Sequence, residues 1–327
     1  MQAYTNDLHI TKDLHFASDF GQVAYDLYEP AKVDSSPTII QIAHGMIEHK
    51  DRYEWLAREL ASRGYIVAAS DHRGHGQSIN AEHGIGLGSM GEDGFSRASY
   101  DLYKLTCLLK DQYPGARVVL LGHSMGSLLS RRYASLYSEA LSGLILSGSP
   151  AFDENLGYGI MLTKILRFFG AKTFGQKFLT KTLFGGFDKH FKRDTQFAPQ
   201  CWLCSDPAVV QAYRDDPKCS FMFDIESFLY LFLGMQEVYG EYPTIKNPTL
   251  PILFVSGSDD ASGQFGSGVQ AACKHLEAQG FSDVGILLYK GARHEILNEP
   301  IKPQVLADIL LWLTSKGLQA ESTTKEA

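Results

Sequence analysis

The hydrophobic and polar positions of the chain alternate between strand-like and helix-like patterns from about residue 20 to residue 150. Residues 22–28 alternate apolar and polar side chains, which is typical of an antiparallel strand at the edge of a sheet. Several short continuous apolar runs predict strands that helices cover on both faces. Those runs are residues 38–43, 65–69, 118–121 and 144–147. The order of the patterns indicates a doubly wound, mostly parallel sheet.

Amphipathic helices are predicted between these strands. Residues 53–63 place apolar side chains at helical spacing and end at Gly64, and glycine is common just after a helix. Residues 95–112 repeat this pattern and end before Pro114. Strand patterns return over 251–255 and 285–289, and helical patterns over 268–279 and 303–316. Together, these strand and helix patterns predict a sheet of about eight strands flanked by helices.

Residues 151–247 do not continue the alternation of strand and helix patterns. They contain aromatic-rich helical stretches separated by glycine and proline clusters, which predicts a helical cap inserted into the sheet domain. The core domain would then comprise residues 1–150 and 248–317. Residues 318–327 are polar, and we expect them to form a disordered tail.

Composition narrows the possible partners and location. The chain has 327 residues, a formal net charge of −7 and 44% hydrophobic residues. It lacks the basic surface that nucleic acid binding needs, so we expect no nucleic acid partner. Its first residues do not resemble a signal peptide, and no apolar run has the length of a membrane span. We expect a cytoplasmic protein, with peripheral contact between the cap and a membrane surface left open.

Two motifs resemble metal sites without the spacing that such sites need. Cys201 and Cys204 form a lone C-x-x-C, which we interpret as two reduced packing residues. Residues 71–76 contain two histidines but no matching ligands elsewhere, so we interpret Asp71 and Arg73 as packing residues of a turn. We expect no metal and no other cofactor.

The segment Gly122-His123-Ser124-Met125-Gly126 follows a predicted strand directly and precedes a helical pattern directly. A serine on a strand-to-helix turn between two glycines is typical of a nucleophile elbow, where the missing side chains leave room for a tight turn. The motif alone is weak evidence because glycine is frequent in this chain. A nucleophilic Ser124 needs a histidine base and a carboxylate that orients this base.

Both partners follow later strands, in the chain order serine, aspartate, histidine. The strand pattern over 251–255 is followed by Asp259 and Asp260, and the last strand pattern is followed by His294. Because the carboxyl ends of parallel strands meet at one edge of a sheet, we predict that these side chains converge on Ser124. The residues themselves do not decide between Asp259 and Asp260.

Stabilising the oxyanion of an acyl-transfer reaction requires two backbone donors. The segment His44-Gly45-Met46 follows the predicted strand over 38–43, where the second donor is expected. We assign the donors to the N–H groups of Met46 and Met125. We interpret His44 as a structural hydrogen-bonding residue rather than a base.

Five motifs stand in order along the chain: HGMIEH at 44–49, Arg52-Tyr53, DHRGHGQS at 71–78, GHSMG at 122–126 and GARH at 291–294. Together they resemble the monoacylglycerol lipase and lysophospholipase branch of the serine α/β-hydrolases, which is also described as serine aminopeptidase S33-like. The resemblance covers the sheet domain and implies an α/β-hydrolase fold.

The resemblance also implies roles for individual residues. The family's acid lies in a Gly-x-x-Asp turn, which favours Asp260, and its oxyanion donors match Met46 and Met125. Glu48 and Arg52 match positions that shape the alcohol side of the substrate site. A salt-bridged loop is an equally good interpretation of these two residues.

Two positions depart from the family pattern. Ile47 and Ser127 stand where small residues, often glycine, are common. We expect Ile47 to narrow the mouth of the site, which would limit bulky head groups.

The sequence therefore predicts a serine hydrolase that cleaves lipid esters, such as monoacylglycerols or lysophospholipids, through an acyl-enzyme on Ser124. One alternative is a peptidase or amidase, such as an iminopeptidase, and a second is a non-catalytic ligand-binding protein with the same fold. A peptidase would need an acidic anchor in the cap, for which the candidates are Asp188, Asp206, Asp215, Asp216 and Glu226. We predict no protein partner, and acyl-chain length, head group and oligomeric state remain open.

Overall fold

The computed structural model describes residues 7–192 and 199–320. Within these residues, eight strands form one sheet in the order β1-β2-β4-β3-β5-β6-β7-β8. The strands are β1 (Leu8–Ser18), β2 (Gly21–Pro30), β3 (Thr38–Ala43), β4 (Ile66–Ser70), β5 (Arg117–His123), β6 (Gly143–Ser147), β7 (Ile252–Gly257) and β8 (Val284–Tyr289).

Most strand pairs are parallel, as the sequence predicts. β2 pairs antiparallel with β1 and with β4, and every later pair in the sheet is parallel. The prediction that residues 22–28 form the edge strand is wrong, because β1 covers the outer side of β2. The apolar alternation of β1 is broken by Lys12 and Asp13, where its register with β2 shifts. Because of this interruption, the alternation of apolar and polar residues does not reveal the strand.

Helices connect the parallel strands, and one more follows the last strand. They are α1 (Glu54–Ala61), α2 (Gly94–Gln112), α3 (Met125–Tyr137), α4 (Leu156–Phe168), α5 (Lys172–Phe184), α6 (Pro207–Asp215), α7 (Ile225–Val238), α8 (Ser267–Ala278) and α9 (Lys302–Ser315). None of the helices in the described ranges has the length and apolar character needed to span a bilayer.

Two apolar cores lie on opposite faces of the sheet. In β3, Ile39 and Ala43 pack into one core, whereas Ile40 and Ile42 pack into the other. The first core receives side chains from α2, α3 and α8, and the second receives them from α1 and α9. Because both faces of the central strands are buried, these strands are continuous apolar runs in the sequence.

The segment predicted as an insertion, residues 151–247, contains α4 to α7 and stands between β6 and β7. α7 packs against α2 and α3. Gly234 of α7 allows this close approach, since a Cβ at this position would overlap the ring of Phe95. The helical segment therefore rests on the sheet domain through α7.

The end of the core lies further along the chain than the sequence predicts. Leu318, the first residue of the expected disordered tail, is buried in the same core as α9. Gly317 has a φ of 68°, which turns the chain back, and the Leu318 N–H donates to the Leu313 carbonyl at 2.8 Å. The predicted boundary at 318 is therefore a few residues too early, and residues 321–327 lie outside the described residues.

Candidate active site

Ser124 lies on the turn between β5 and α3. Its φ of 51° and ψ of −118° are strained for a residue with a side chain, and its N–H donates to the Ser147 carbonyl at 2.9 Å. A Cβ at Gly122 would overlap the Gly126 carbonyl, and a Cβ at Gly126 would overlap the Ala43 carbonyl. The two glycines therefore let α3 begin directly against the end of β3.

The structure brings Ser124 together with His294 and Asp260. The Ser124 Oγ is 2.9 Å from His294 Nε2, and His294 Nδ1 is 3.0 Å from Asp260 Oδ1. These residues follow β5, β8 and β7 respectively, so three strand ends in the same half of the sheet supply them, and β6 lies between β5 and β7. The hydroxyl can donate to Nε2 while Nδ1–H donates to the carboxylate, which is the arrangement of a serine nucleophile, its base and an orienting acid.

The structure distinguishes the two adjacent aspartates. Asp260 is fully buried, and besides contacting His294 it accepts a hydrogen bond from the Ser262 N–H at 2.9 Å. The Asp259 carboxylate instead accepts a hydrogen bond from the Ser258 hydroxyl at 2.8 Å. Asp260 is therefore the carboxylate that contacts the imidazole.

Asp260 and His294 shift each other's protonation. Burial by itself lowers the pKa of His294, but the Asp260 carboxylate outweighs it and leaves this pKa above its ordinary 6.5. Burial by itself raises the pKa of Asp260, but His294 and the backbone donors Ser262 and Gly263 leave it below its ordinary 3.8. Near neutral pH the carboxylate is therefore ionised and ready to stabilise an imidazolium.

The two expected oxyanion donors lie next to Ser124. Met125 is the first residue of α3, where amides have no carbonyl partner within the helix. Met46 follows β3 in a loop whose conformation is held by the Gly45 N–H donating to Glu48 Oε1. His44 is buried in this loop, and its Nε2 accepts the His72 N–H at 2.9 Å, which is a structural role.

A cavity of about 460 Å³ opens on one side of Ser124. Its wall combines apolar side chains with polar and charged ones from the sheet domain and the helical segment; the polar and charged ones include Glu48, Lys181, Asp188, Tyr213, Arg214 and Glu295. We call this space the polar cavity.

A second cavity of about 370 Å³ also reaches Ser124. Its wall is mainly apolar and includes Leu128, Leu156, Leu162, Leu179, Leu231 and Phe232. We call it the apolar cavity. Met46, Ser124 and Trp202 belong to the walls of both cavities, so the hydroxyl lies where the two spaces meet.

Comparison with known proteins identifies the family. A family model described as serine aminopeptidase, S33, matches residues 34–301. The chain belongs to this hydrolase family. It is 26% identical over 297 residues to a monoacylglycerol lipase of Mycolicibacterium smegmatis, a match that covers 90% of this chain and 93% of the relative. It is 25% identical to the monoglyceride lipase of Homo sapiens, over 86% of this chain and 84% of the relative.

Solved structures agree with this assignment. A carboxyl esterase from Bacillus coagulans superposes with a TM-score of 0.81 at 29% identity, covering 94% of this chain and 98% of that one. The predicted α/β-hydrolase fold is confirmed, and the predicted enzyme class, a carboxylic ester hydrolase, agrees with the matches.

In this S33 hydrolase, Glu48 and Arg52 form an ion pair. Arg52 Nη1 donates to Glu48 Oε2 at 2.6 Å, and the same guanidinium forms a bidentate pair with Glu295. The Tyr53 hydroxyl also donates to Glu48 at 2.8 Å. Glu48 belongs to the wall of the polar cavity, whereas Arg52 lies behind it. The salt-bridged loop is thus present, and a direct role in substrate binding stays a prediction.

Sequence reasoning missed Glu295 and Tyr213. Glu295 directly follows the predicted base His294, and this adjacency is the sequence feature that could have indicated its place near the site. Tyr213 lies in α6, far from the motifs along the chain, and stacks under Arg52 with 4.8 Å between the guanidinium carbon and the ring centre. A contact between segments that are distant along the chain produces no local pattern in the sequence.

The two departures from the family pattern have structural roles. Ile47 has a φ of 59°, in the left-handed region that favours glycine, and its carbonyl accepts the Tyr213 hydroxyl at 2.9 Å. The Ser127 hydroxyl donates to the Ser124 carbonyl at 2.6 Å. Ile47 also belongs to the wall of the polar cavity, and its narrowing of the mouth stays a prediction.

The residues of the two motifs that resemble metal sites take part in packing and hydrogen bonds. Asp71 is buried and accepts backbone N–H groups of its neighbouring loops, while Arg73 pairs with Asp101 at 2.8 Å. Cys201 and Cys204 are buried, and their thiols donate to Asp188 Oδ1 at 3.5 Å and to the Asn298 carbonyl at 3.6 Å.

Proposed function

We propose that the protein hydrolyses carboxylic esters of lipids, such as monoacylglycerols or lysophospholipids, through an acyl-enzyme on Ser124. The observation that carries this proposal is the hydrogen-bonded chain Ser124–His294–Asp260 at the meeting point of an apolar and a polar cavity. A lipid with one acyl chain has an apolar and a polar part on either side of its ester bond. The names of the relatives, monoacylglycerol lipase and monoglyceride lipase, support this substrate class.

The first half of the reaction forms the acyl-enzyme. His294 Nε2 takes the proton of Ser124 as Oγ attacks the ester carbonyl, and Asp260 stabilises the resulting imidazolium. The Met46 and Met125 N–H groups donate to the oxyanion of the tetrahedral intermediate. Loss of one such donor typically costs about 2.7–4 kcal/mol of transition-state stabilisation.

The second half releases both products. The His294 imidazolium gives its proton to the alcohol oxygen as the carbon–oxygen bond breaks, and the alcohol leaves. Water then enters, loses a proton to His294 Nε2 and attacks the acyl carbonyl. Collapse of this second intermediate returns the proton to Ser124 and releases a fatty acid.

The two cavities would divide the substrate between them. In the apolar cavity each buried methylene contributes about 0.8 kcal/mol to binding. In the polar cavity Glu48 would accept a hydroxyl of the head group, with Arg52 as the positioning residue that holds its carboxylate. This assignment uses both side chains in the roles that the family resemblance implies.

We propose that residues 151–247 act as a lid on a core of residues 1–150 and 248–317. The polar and apolar cavity walls both include side chains from α5, such as Lys181 and Leu179. Opening of this segment would admit a substrate, and its closure would exclude water from the acyl-enzyme.

The same helices present an apolar surface that fits a lipid interface. Phe168, Phe169 and Phe174 are 84%, 76% and 69% exposed, and Lys164 and Arg167 lie among them. Exposed aromatic side chains mixed with basic ones are typical of segments that insert shallowly into membranes. We propose that this face docks on anionic membranes, close to the entrance of the apolar cavity.

Vesicle sedimentation tests the docking. The double variant Phe168→Ser/Phe169→Ser should bind phosphatidylglycerol vesicles about tenfold more weakly, because it loses the burial of two aromatic rings. Leu311→Ser, which removes a 69% exposed side chain on α9, is the matched control and should bind like the unmodified protein. Equal binding of both variants would contradict docking through this face.

A peptidase on the same triad is the second candidate, since the chain is 27% identical over 167 residues to a proline iminopeptidase of Pestalotiopsis fici. Its substrate amine would need an acidic anchor in the helical segment. The five candidate carboxylates already have partners: Asp188 with the Gln200 N–H, Asp206 with the Ala208 N–H, Asp215 with Gln211, Asp216 with His49 and Glu226 with Arg167. Of the five, only Asp188 belongs to the wall of either cavity, which favours ester hydrolysis.

Two experiments test the proposed function. A fluorophosphonate probe should modify Ser124, as located by peptide mass spectrometry, and the adduct should be absent from Ser124→Ala. A folded protein that forms no adduct would instead support the non-catalytic alternative. Turnover of 1-monoacylglycerol, lysophosphatidylcholine and a proline naphthylamide should then be compared, and cleavage of the last alone would overturn the ranking in favour of a peptidase.

A further inference from the structure

Three side chains with metal-binding atoms meet beside the polar cavity, apart from the triad. They are His49, in the loop after β3, and Asp216 and Cys219, in the turn after α6. Their imidazole nitrogen, carboxylate oxygen and thiol sulfur all lie within 4.8 Å of one another. His49 and Cys219 are each only 4% exposed, whereas the Asp216 side chain is 27% exposed, so solvent reaches the cluster from the Asp216 side.

Local structure explains why Asp216 and Cys219 face the same way. Asp216 is the N-cap of a short 3₁₀ turn, Pro217–Cys219, and Cys219 is its last residue, so a single turn brings the two side chains close together. The Asp216 Oδ1 accepts the Lys218 N–H at 2.8 Å, which fixes the carboxylate. This leaves Oδ2 directed at His49 Nε2, 2.7 Å away.

The surroundings of His49 resemble the support that metal-binding histidines usually have. Its Nδ1 lies 3.3 Å from Asp51 Oδ2, and Asp51 is itself paired with Lys218 at 2.9 Å. Among the described residues Nδ1 has no well-aligned hydrogen bond. A metal-bound histidine typically directs its second nitrogen to a carboxylate, which fixes the tautomer and the ring orientation. A small rotation of the His49 ring would provide this contact.

We propose that His49, Asp216 and Cys219 form a zinc(II) site that joins the turn after α6 to the loop after β3. One nitrogen, one oxygen and one sulfur ligand suit zinc better than magnesium or calcium, which prefer oxygen ligands alone. Cys219 binds as the thiolate and releases its proton to solvent, and His49 binds through neutral Nε2. Three protein ligands leave the fourth tetrahedral position to water.

The site would stiffen one wall of the polar cavity. Cys219, like Ile47 and Glu48, belongs to that wall, and the two loops come from the helical segment and the sheet domain. Bound zinc would therefore hold these parts together. Because the unfolded chain does not hold the three ligands together, zinc should also raise the melting temperature.

Cobalt(II), a spectroscopic substitute for zinc, tests the proposal on the full chain without reference to catalysis. The unmodified protein should bind one cobalt ion with a thiolate-to-metal charge-transfer band, and zinc should displace it. The band should be absent from Cys219→Ser and retained in Cys273→Ser, a control for another buried thiol. Asp51→Asn should weaken binding by about 10–100-fold.

Several results would overturn the zinc site. They are a protein without the charge-transfer band, a band that survives in Cys219→Ser, and a zinc-induced rise in melting temperature that is equal in Cys219→Ser. Circular dichroism of each variant checks that it is folded. Because no substrate is used, these outcomes are independent of the proposed ester hydrolysis.

Discussion

Asp259 and Asp260 are neighbours in the chain, but only the Asp260 carboxylate contacts the imidazole of His294. An aspartate in this position fixes the histidine tautomer and stabilises the imidazolium. The rate of hydrolysis should therefore depend on the charge of Asp260 and hardly at all on the charge of Asp259.

The first prediction compares matched amides at these two positions. Asp260→Asn should lower kcat for a 1-monoacylglycerol by about 10⁴-fold, because the imidazole takes the wrong tautomer. Asp259→Asn should change kcat by less than about threefold, since it loses only a contact with Ser258. Steady-state kinetics of both variants checks this, and similar losses in the two would contradict the assignment.

The second prediction concerns pH. As the proposed base, His294 acts only when neutral, so activity should fall as the pH decreases through its pKa. That pKa is raised, and the acid limb of kcat/KM should have its midpoint above 6.5. In Asp260→Asn the carboxylate that raises the pKa is gone while burial remains, so the midpoint should move to lower pH. Profiles of kcat/KM against pH measure both, and an unchanged midpoint would show that Asp260 does not set it.

At the scale of elements, the site depends on how closely α3 approaches the end of β3. Gly126 permits this approach, because a Cβ there would overlap the carbonyl of Ala43. The approach brings Met125, at the start of α3, and Met46, just after β3, into the wall of the same cavity at Ser124. One glycine therefore serves both the turn and the spacing of the two proposed oxyanion donors.

The third prediction tests this packing with two glycine-to-alanine variants. Gly126→Ala should lower the free energy of unfolding by about 1–3 kcal/mol and reduce kcat, because the helix start must move. Gly157→Ala, in α4, meets no atom within 4 Å and should change stability by less than about 1 kcal/mol. Urea unfolding and steady-state kinetics provide the measurements, and a fully stable, fully active Gly126→Ala would refute the argument.

Elements differ in how well the sequence predicts them. The central strands are buried on both faces, so their apolar runs are visible without any partner. β1 is half exposed and interrupted at its register shift, so its pattern is weak. Leu318 was assigned to a tail because its burial depends on the core around α9 rather than on its neighbours in the chain.

At the scale of the whole molecule, the sheet domain and the helical segment together make two cavities that meet at Ser124. If one holds the acyl chain and the other the head group, a change in the apolar cavity should alter chain-length preference alone. Gly159 of α4 offers such a change. A Cβ at this position would lie 3.8 Å from the Phe232 ring, an ordinary contact, so a larger side chain would extend into the cavity wall.

The fourth prediction uses Gly159→Leu. It should lower kcat/KM for palmitoylglycerol about tenfold more than for octanoylglycerol, since the longer chain loses the space that its terminal methylenes occupy. Gly157→Leu, whose Cβ meets no atom within 4 Å, is the control and should leave the ratio of the two substrates unchanged. Equal losses for both substrates would place the acyl chain elsewhere.

The sequence by itself determined the sheet class, the elbow at Ser124 and the candidates His294 and Asp259 or Asp260, because these depend on periodicity and on residues next to strand ends. Tertiary structure decided what depends on contacts between distant segments. It directed Asp260 to the imidazole, placed Glu295 and Tyr213 around Arg52, and brought His49 to Cys219. The cavities belong to this second group, since their walls are made by segments that meet only in the folded chain.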